Sequence, residues 1–271
     1  MKVYWKKKNF ACGVVLTAVV VLLAILSLAW TPYDANQMNP QHRLEAPSIQ
    51  HPLGTDQYGR DILSRIMVGA VNSIMVGIAT VIIGMTAGVT LGLIAAYFGR
   101  WTDGPIMGLS DLLFGFPAVL TAILISAVWG PSIAAVMVAI GIFYIPVFAR
   151  LSRAVALSVW AREFVDAARA CGASEWSITL RHILPNLSSP LIVQATIQFA
   201  VAILAEAGLS YLGLGTQPPH ASWGRMLYEA QTFMEISPWM SIFPGLAIAW
   251  TVLGFNLLGD GIRDVLDPHM L

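Results

Sequence analysis

The chain has 271 residues, 57% of them hydrophobic and only 11% charged, and its 15 basic and 15 acidic side chains balance to zero net charge. A soluble domain carries about 25% charged residues, so too little charge is present to cover a water-soluble globule of this length. Zero net charge also excludes the basic profile of a nucleic-acid binder, and two cysteines, Cys12 in an apolar run and Cys171 in a polar stretch, supply neither a disulfide framework nor a metal cluster.

The predicted fold class is an all-α integral membrane protein whose solvent is lipid. At the start, Lys2, Lys6, Lys7 and Lys8 precede 19 uncharged residues from Cys12 to Trp30. That run outlasts the roughly 7–15 apolar residues of a cleavable signal peptide. It ends in Trp30-Thr-Pro-Tyr33, an aromatic interface anchor rather than a small-residue cleavage site. A retained first span over 10–30 follows. A crossing helix needs about 20 apolar residues. The charge-free stretch 66–99 holds the second span, predicted at 72–97. Gly130-Pro131 splits the next apolar region into spans near 105–128 and 132–149, and further spans fall near 186–206 and 240–260. The chain thus divides into 1–30 with the first span, an outer loop at 31–71, and a five-span body over 72–271.

Six spans place both termini on one side. Basic residues favour the cytoplasmic side. With the N-terminus inside, the inner segments hold Lys2, Lys6, Lys7, Lys8, Arg100, Arg150, Arg153, Arg162, Arg169, Arg181 and Arg263, while the outer segments hold only Arg43, Arg60, Arg65 and Arg225. Both termini are therefore predicted to be cytoplasmic. No internal repeat is evident, which weighs against an inverted-repeat secondary transporter.

Gly84, Gly88 and Gly92 recur every four residues, with Ala96 continuing the row, and so share one helix face. Small residues let membrane helices approach closely, which predicts a tight helix contact there. Pro117 and Pro146 are potential kinks. Two acidic residues lie within predicted spans, Asp111 and Glu206. Charge at the bilayer centre costs about 2.5–3.5 kcal/mol on insertion scales and less near an interface. Two readings of Glu206 stand side by side: a helix-end residue facing headgroups or a neighbouring subunit, or a lining residue of a translocation path that meets a substrate ammonium.

The inner loop, 150–186, holds most of the interior charge. Residues 152–170 are helix formers, Gly172 suits a left-handed helix end, Ser174 suits the N-cap of a short helix starting at Glu175, and Pro185 marks the start of the fifth span. The expected object is a helix-turn-helix between the fourth and fifth spans, with small Ala167, Ala168 and Ala170 allowing a partner surface to come close.

Asp166-Ala-Ala, Gly172 and Leu184-Pro185 resemble the loop signature of permease subunits of binding-protein-dependent ABC importers, with Asp166 in place of the usual glutamate and His182 in place of isoleucine. His51-Pro-Leu-Gly-Thr-Asp-Gln-Tyr-Gly-Arg-Asp-Ile-Leu-Ser-Arg65 is similar to the segment before the second span in the dipeptide, oligopeptide and nickel permeases. So are Leu209-Ser-Tyr-Leu-Gly-Leu-Gly215 through Ser222-Trp-Gly224, and the C-terminal stretch Asn256 to His269. The short N-terminus resembles the C-type subunits of dipeptide permeases. The resemblance implies a bacterial inner-membrane importer of short peptides, or of nickel complexes or glutathione by the same machinery. It implies as partners a second homologous permease, two cytoplasmic ATPases and a periplasmic binding protein, besides membrane lipid. Glu163, Asp166, Ala167, Ala168, Gly172, Leu184 and Pro185 would form the ATPase-coupling element. Arg60 and Asp61 would serve either binding-protein contact or fold support, and Asp56 would cap a turn.

No Gly-x-x-x-x-Gly-Lys-Ser/Thr, His-Glu-x-x-His or Gly-x-Ser-x-Gly run occurs. A non-catalytic subunit is expected, binding no cofactor itself, with ATP and Mg held by partner subunits. A membrane enzyme and a free-standing secondary transporter or channel are the rival classes.

Overall fold

The computed structural model describes residues 8–266, without the side chains of Lys8, Arg100 and Leu266. Lys2, Lys6, Lys7 and the Asp267-Pro-His269 end of the C-terminal motif lie outside the described residues.

Ten α-helices follow in order: α1 Lys8–Ala29, α2 Ile62–Phe98, α3 Asp103–Gly115, α4 Ala118–Trp129, α5 Ile133–Trp160, α6 Glu163–Ala170, α7 Glu175–Ile178, α8 Leu184–Tyr211, α9 Trp223–Ala230 and α10 Trp239–Leu266. Five runs are long and apolar enough to cross a membrane; α3 and α4, bent by 86° at their junction, make a sixth if they count as one span.

Four boundaries differ from the sequence expectation. The second span starts at Ile62, not 72, because Asp61 caps it by accepting from the Ser64 amide at 2.8 Å and because Arg65 is buried in its first turn. The outer loop therefore ends at 61 rather than 71. The expected 105–128 span is broken at Phe116-Pro117, where proline cannot continue the α3 hydrogen-bond ladder. The fourth span runs on to Trp160 beyond Arg150 and Arg153, since Arg150 pairs with Asp111 and Arg153 with Asp103. The fifth span is longer still: α7 continues through a π-helical segment, 179–183, into α8, so Pro185, which has no amide to donate, lies inside one helical run directly after the widened π turn, where the Leu184 amide donates to Thr179 O.

The largest helix contact joins α2 to α5. Gly84, Gly88 and Gly92 all face α5, against Tyr144, Phe148 and Ser152 in turn. A Cβ at Gly88 would fall 2.5 Å from the Ile145 carbonyl oxygen. Only glycine allows this separation, so backbone meets backbone along three turns. Around that seam, α2, α5 and α8 enclose one apolar cluster, including Val76, Tyr144, Phe148 and Leu187. A second cluster joins α1, α2, α8, α9 and α10 around Ile203 and Trp223. The start of α1 packs on the end of α10, with Gly261 against Phe10. The two ends of the described chain therefore lie at one end of the bundle, and the 31–61 loop with α9 lies at the other.

Candidate functional site

The helical elbow between α5 and α8 is built by local turn chemistry. The continuous helix expected over 152–170 instead breaks after Trp160, and α6 starts afresh at Glu163. Gly172 sits at φ +82° and ends α6. There its amide donates to Arg169 O at 2.9 Å and the Ala173 amide to Ala168 O at 3.1 Å, which satisfies the last carbonyls of the helix. Ser174 Oγ accepts from the Ser177 amide at 3.3 Å and starts α7.

Arg169 clamps the two short helices together, donating to Glu175 Oε1 at 2.7 Å and to Asp166 Oδ1 at 3.1 Å. The hydrogen bond from Glu175, then its charge, raises the arginine's pKa above the ordinary value. Val165, Ile178 and Ile183 point inward and are fully buried, so the elbow is anchored to the bundle and does not hang free. Its outer surface presents Glu163, Asp166, Ala167, Ala170 and Gly172, with Leu184 and Pro185 exposed beyond. Ala168 departs from the expected alanine patch: it is half-buried and packs on the core. The elbow thus has one apolar side bound to the helices and one open side holding two carboxylates and two alanines.

At the opposite end, a buried ion cluster ties three segments together. Asp56 Oδ2 accepts from Arg60 Nε at 2.6 Å, and Glu229 Oε2 accepts from Arg60 Nη2 at 2.8 Å and Arg65 Nη2 at 2.9 Å. Glu229 Oε1 takes Arg225 Nε at 3.1 Å. Arg60 is 3% exposed and Asp61 2%. Asp61 also holds His51 Nδ1 at 2.9 Å. Neither Arg60 nor Asp61 offers surface to a docking protein: Arg60 ties the loop to α9, and Asp61 ties it to the start of α2. Sequence reasoning missed Glu229, Arg225 and Arg65, whose one local signal is acid–base spacing of four in Asp56/Arg60 and Arg225/Glu229.

Glu206 lies neither among headgroups nor along a cavity. It is 1% exposed, accepts from Ser210 Oγ at 2.6 Å, and adjoins Ser222 and Ser73. Nearby, the indole of Trp223 donates to Ile66 O at 3.0 Å and Asn72 Nδ2 to Ala221 O at 2.6 Å. The carboxyl is an internal brace joining α2, α8 and the start of α9.

A bundle of five or six membrane-length helices with a helical elbow exposed between two of them defines a polytopic membrane protein. Residues 88–271 match the family described as binding-protein-dependent transport system inner membrane component, and the chain belongs to that family. It is 44% identical to the dipeptide transport system permease protein DppC of Alkalihalophilus pseudofirmus, over 98% of this chain and 87% of that one. It is 45% identical to the glutathione transport system permease protein GsiD of Pectobacterium atrosepticum, over 98% and 90%. Its fold is shared, at a TM-score of 0.61 and 16% identity, with a chain of the MetNI methionine ABC transporter in inward-facing form, over 73% of this chain and 94% of that one.

Proposed function

We propose that this chain is the transmembrane permease subunit of an ATP-driven importer in a bacterial inner membrane, moving short peptides from periplasm to cytoplasm. The carrying observation is the elbow: α6 is exposed on one side and anchored by Val165 on the other, and α7, anchored by Ile178, is continuous with the long α8. The excess of Lys and Arg on the elbow side supports a cytoplasmic elbow and cytoplasmic termini. Two ATPase subunits, carrying ATP and Mg, would seat one such elbow each, the second belonging to a related permease. A periplasmic binding protein would deliver the peptide at the loop end. Nothing in this chain supplies a nucleotide cradle, so chemistry resides in the partners and motion here.

A second reading, glutathione as cargo, is favoured by the relative at 45% identity that bears that name. Reconstitution of the complete importer in proteoliposomes separates the two. Binding protein with a dipeptide is expected to raise ATP hydrolysis several-fold; a response to glutathione alone selects the second reading, and a response to neither refutes both. In the same system Asp166→Lys is expected to cut co-purification of the ATPases at least fivefold while the permease still inserts. Undiminished co-purification would remove Asp166 from the contact.

A further inference from the structure

The buried ion cluster at the loop end does not balance. Among the described residues it joins three arginines, Arg60, Arg65 and Arg225, to two carboxylates, Asp56 and Glu229. Asp61 is close in sequence but committed elsewhere: its Oδ1 holds His51 Nδ1, and its Oδ2 accepts from the amide and the hydroxyl of Ser64. Three positive charges against two negative leave one in surplus. An arginine keeps its proton at any ordinary pH, so titration cannot remove that surplus.

The surplus falls on Arg65. Arg60 makes two short bonds, one to each carboxylate, and the Arg225 side chain, 14% exposed, reaches solvent. Arg65 is 1% exposed. Its Nη2 donates to Glu229 Oε2 at 2.9 Å, its Nε stands 3.7 Å from Asp56 Oδ2, and its buried Nη1 has no hydrogen-bond partner among the described residues. An unpaired buried donor is costly, and a buried charge demands a counter-charge. Arg65 also lines a cavity of about 10 Å³, walled by Asp56 of the loop, Ile62 of α2, Met226 and Glu229 of α9 and Met240 of α10. Room of about 10–15 Å³ holds one particle of water's size, which shuts out a sulfate, a phosphate or a carboxylate group. The Asp56 and Glu229 oxygens on the wall are all engaged by donors. The wall therefore offers a donor to an incoming particle and no free acceptor, which selects an anion over a cation.

We propose that this cavity binds a single chloride ion on Arg65 Nη1, the counter-ion that completes the cluster where the outer loop, α2, α9 and α10 meet. A water molecule would give Nη1 an acceptor but leave the surplus charge in place; a monatomic anion does both. Chloride is then a structural ligand. It binds the assembled cluster and not the unfolded chain, and so stabilises the fold by mass action. The inference holds whatever cargo the chain moves.

The test is thermal unfolding of the purified full-length subunit in detergent, in sodium chloride and in sodium gluconate at equal ionic strength. Gluconate is too large for the cavity, and equal ionic strength keeps screening the same. Chloride is expected to raise the midpoint by about 5–10 °C, the shift that a ligand at about a hundredfold its dissociation constant brings to a chain this size. Met226→Glu places a carboxylate on the cavity wall and is expected to abolish the chloride shift. Equal midpoints of the wild type in the two salts overturn the proposal, and so does a chloride shift that Met226→Glu leaves intact. Crystals of the wild type grown in bromide locate the ion without any variant. An anomalous peak beside Arg65 Nη1 is expected; density there without anomalous signal is a water only and overturns the anion.

Discussion

Adding one methyl group at Gly88 tests the seam on which the bundle is built. In Gly88→Ala the new Cβ would lie 2.5 Å from the Ile145 carbonyl oxygen and 2.7 Å from Phe148 Cβ. Favourable contacts lie near 3.5–4.0 Å, so α2 and α5 must part by about 1 Å. The obstacles are backbone and a first side-chain carbon, which no rotamer change can move. Overpacking of this kind costs about 1–3 kcal/mol, and the obstruction by backbone places Gly88 at the upper end. The better helix propensity of alanine returns about 1 kcal/mol, leaving a net loss of about 2 kcal/mol. Gly245→Ala in α10 is the control: nothing lies within 4 Å of its added Cβ, so it is expected to gain about 1 kcal/mol. A gap of about 3 kcal/mol corresponds to about 6–12 °C between the thermal midpoints of a chain this size. Tryptophan fluorescence of the purified subunit in detergent, recorded during heating, measures it. Midpoints within about 2 °C of one another would refute the claim that close approach at Gly88 holds α2 on α5.

The buried ion cluster and the elbow make two more predictions. Glu229→Ala takes the carboxylate from Arg225 and leaves Arg60 and Arg65 to share Asp56 and is expected to destabilise the subunit by about 3–5 kcal/mol, read by the same melting experiment; an unchanged midpoint would mean that the cluster does not hold the loop. Gly172→Val forces a β-branched residue to φ +82°, a conformation costing about 1–2 kcal/mol even before branching is counted. Since no neighbouring atom obstructs the new Cβ, any effect comes from the turn itself. The variant is expected to insert normally and lose peptide uptake, and wild-type uptake would speak against the turn's role in coupling.

The crossings were legible because the bilayer imposes a length that charge-free runs reveal. Their limits were not, because a charge was taken to end a span. Arg65, Arg150 and Arg153 all lie inside helices, and their partners Glu229, Asp111 and Asp103 lie 39 to 164 residues away. No local pattern announces such pairing. Gly172 and Ser174 were readable for the opposite reason: a positive φ and an N-cap depend on the residue and its immediate neighbours. Pro117 was visible as a possible kink, but the 86° angle depends on what α4 packs against. Glu206 was misplaced because depth along a span says nothing about direction around it. Its neighbours Ser73 and Ser222 come from helices distant in sequence.

The distribution of polar contacts decides which part of the bundle a push at the elbow, if the proposed coupling holds, would move. At the loop end, the outer loop, α2, α9 and α10 are stapled by buried and half-buried bonds: Arg60 and Arg65 to Glu229, Trp223 to Ile66 O, Asn72 to Ala221 O and Trp239 Nε1 to Thr55 O at 3.4 Å. Breaking any of these leaves a desolvated group unpaired, so this end moves as one piece. The glycine seam extends that piece along α2 to α5, and α5 leads directly to the elbow. By contrast, α3 is tied to α5 by one exposed ion pair, one half-buried ion pair and the Phe114–Phe143 ring contact. Exposed pairs contribute little stability and exchange readily with water. Under the proposed coupling, force applied at α6 would reach this stapled core through α5 and α8.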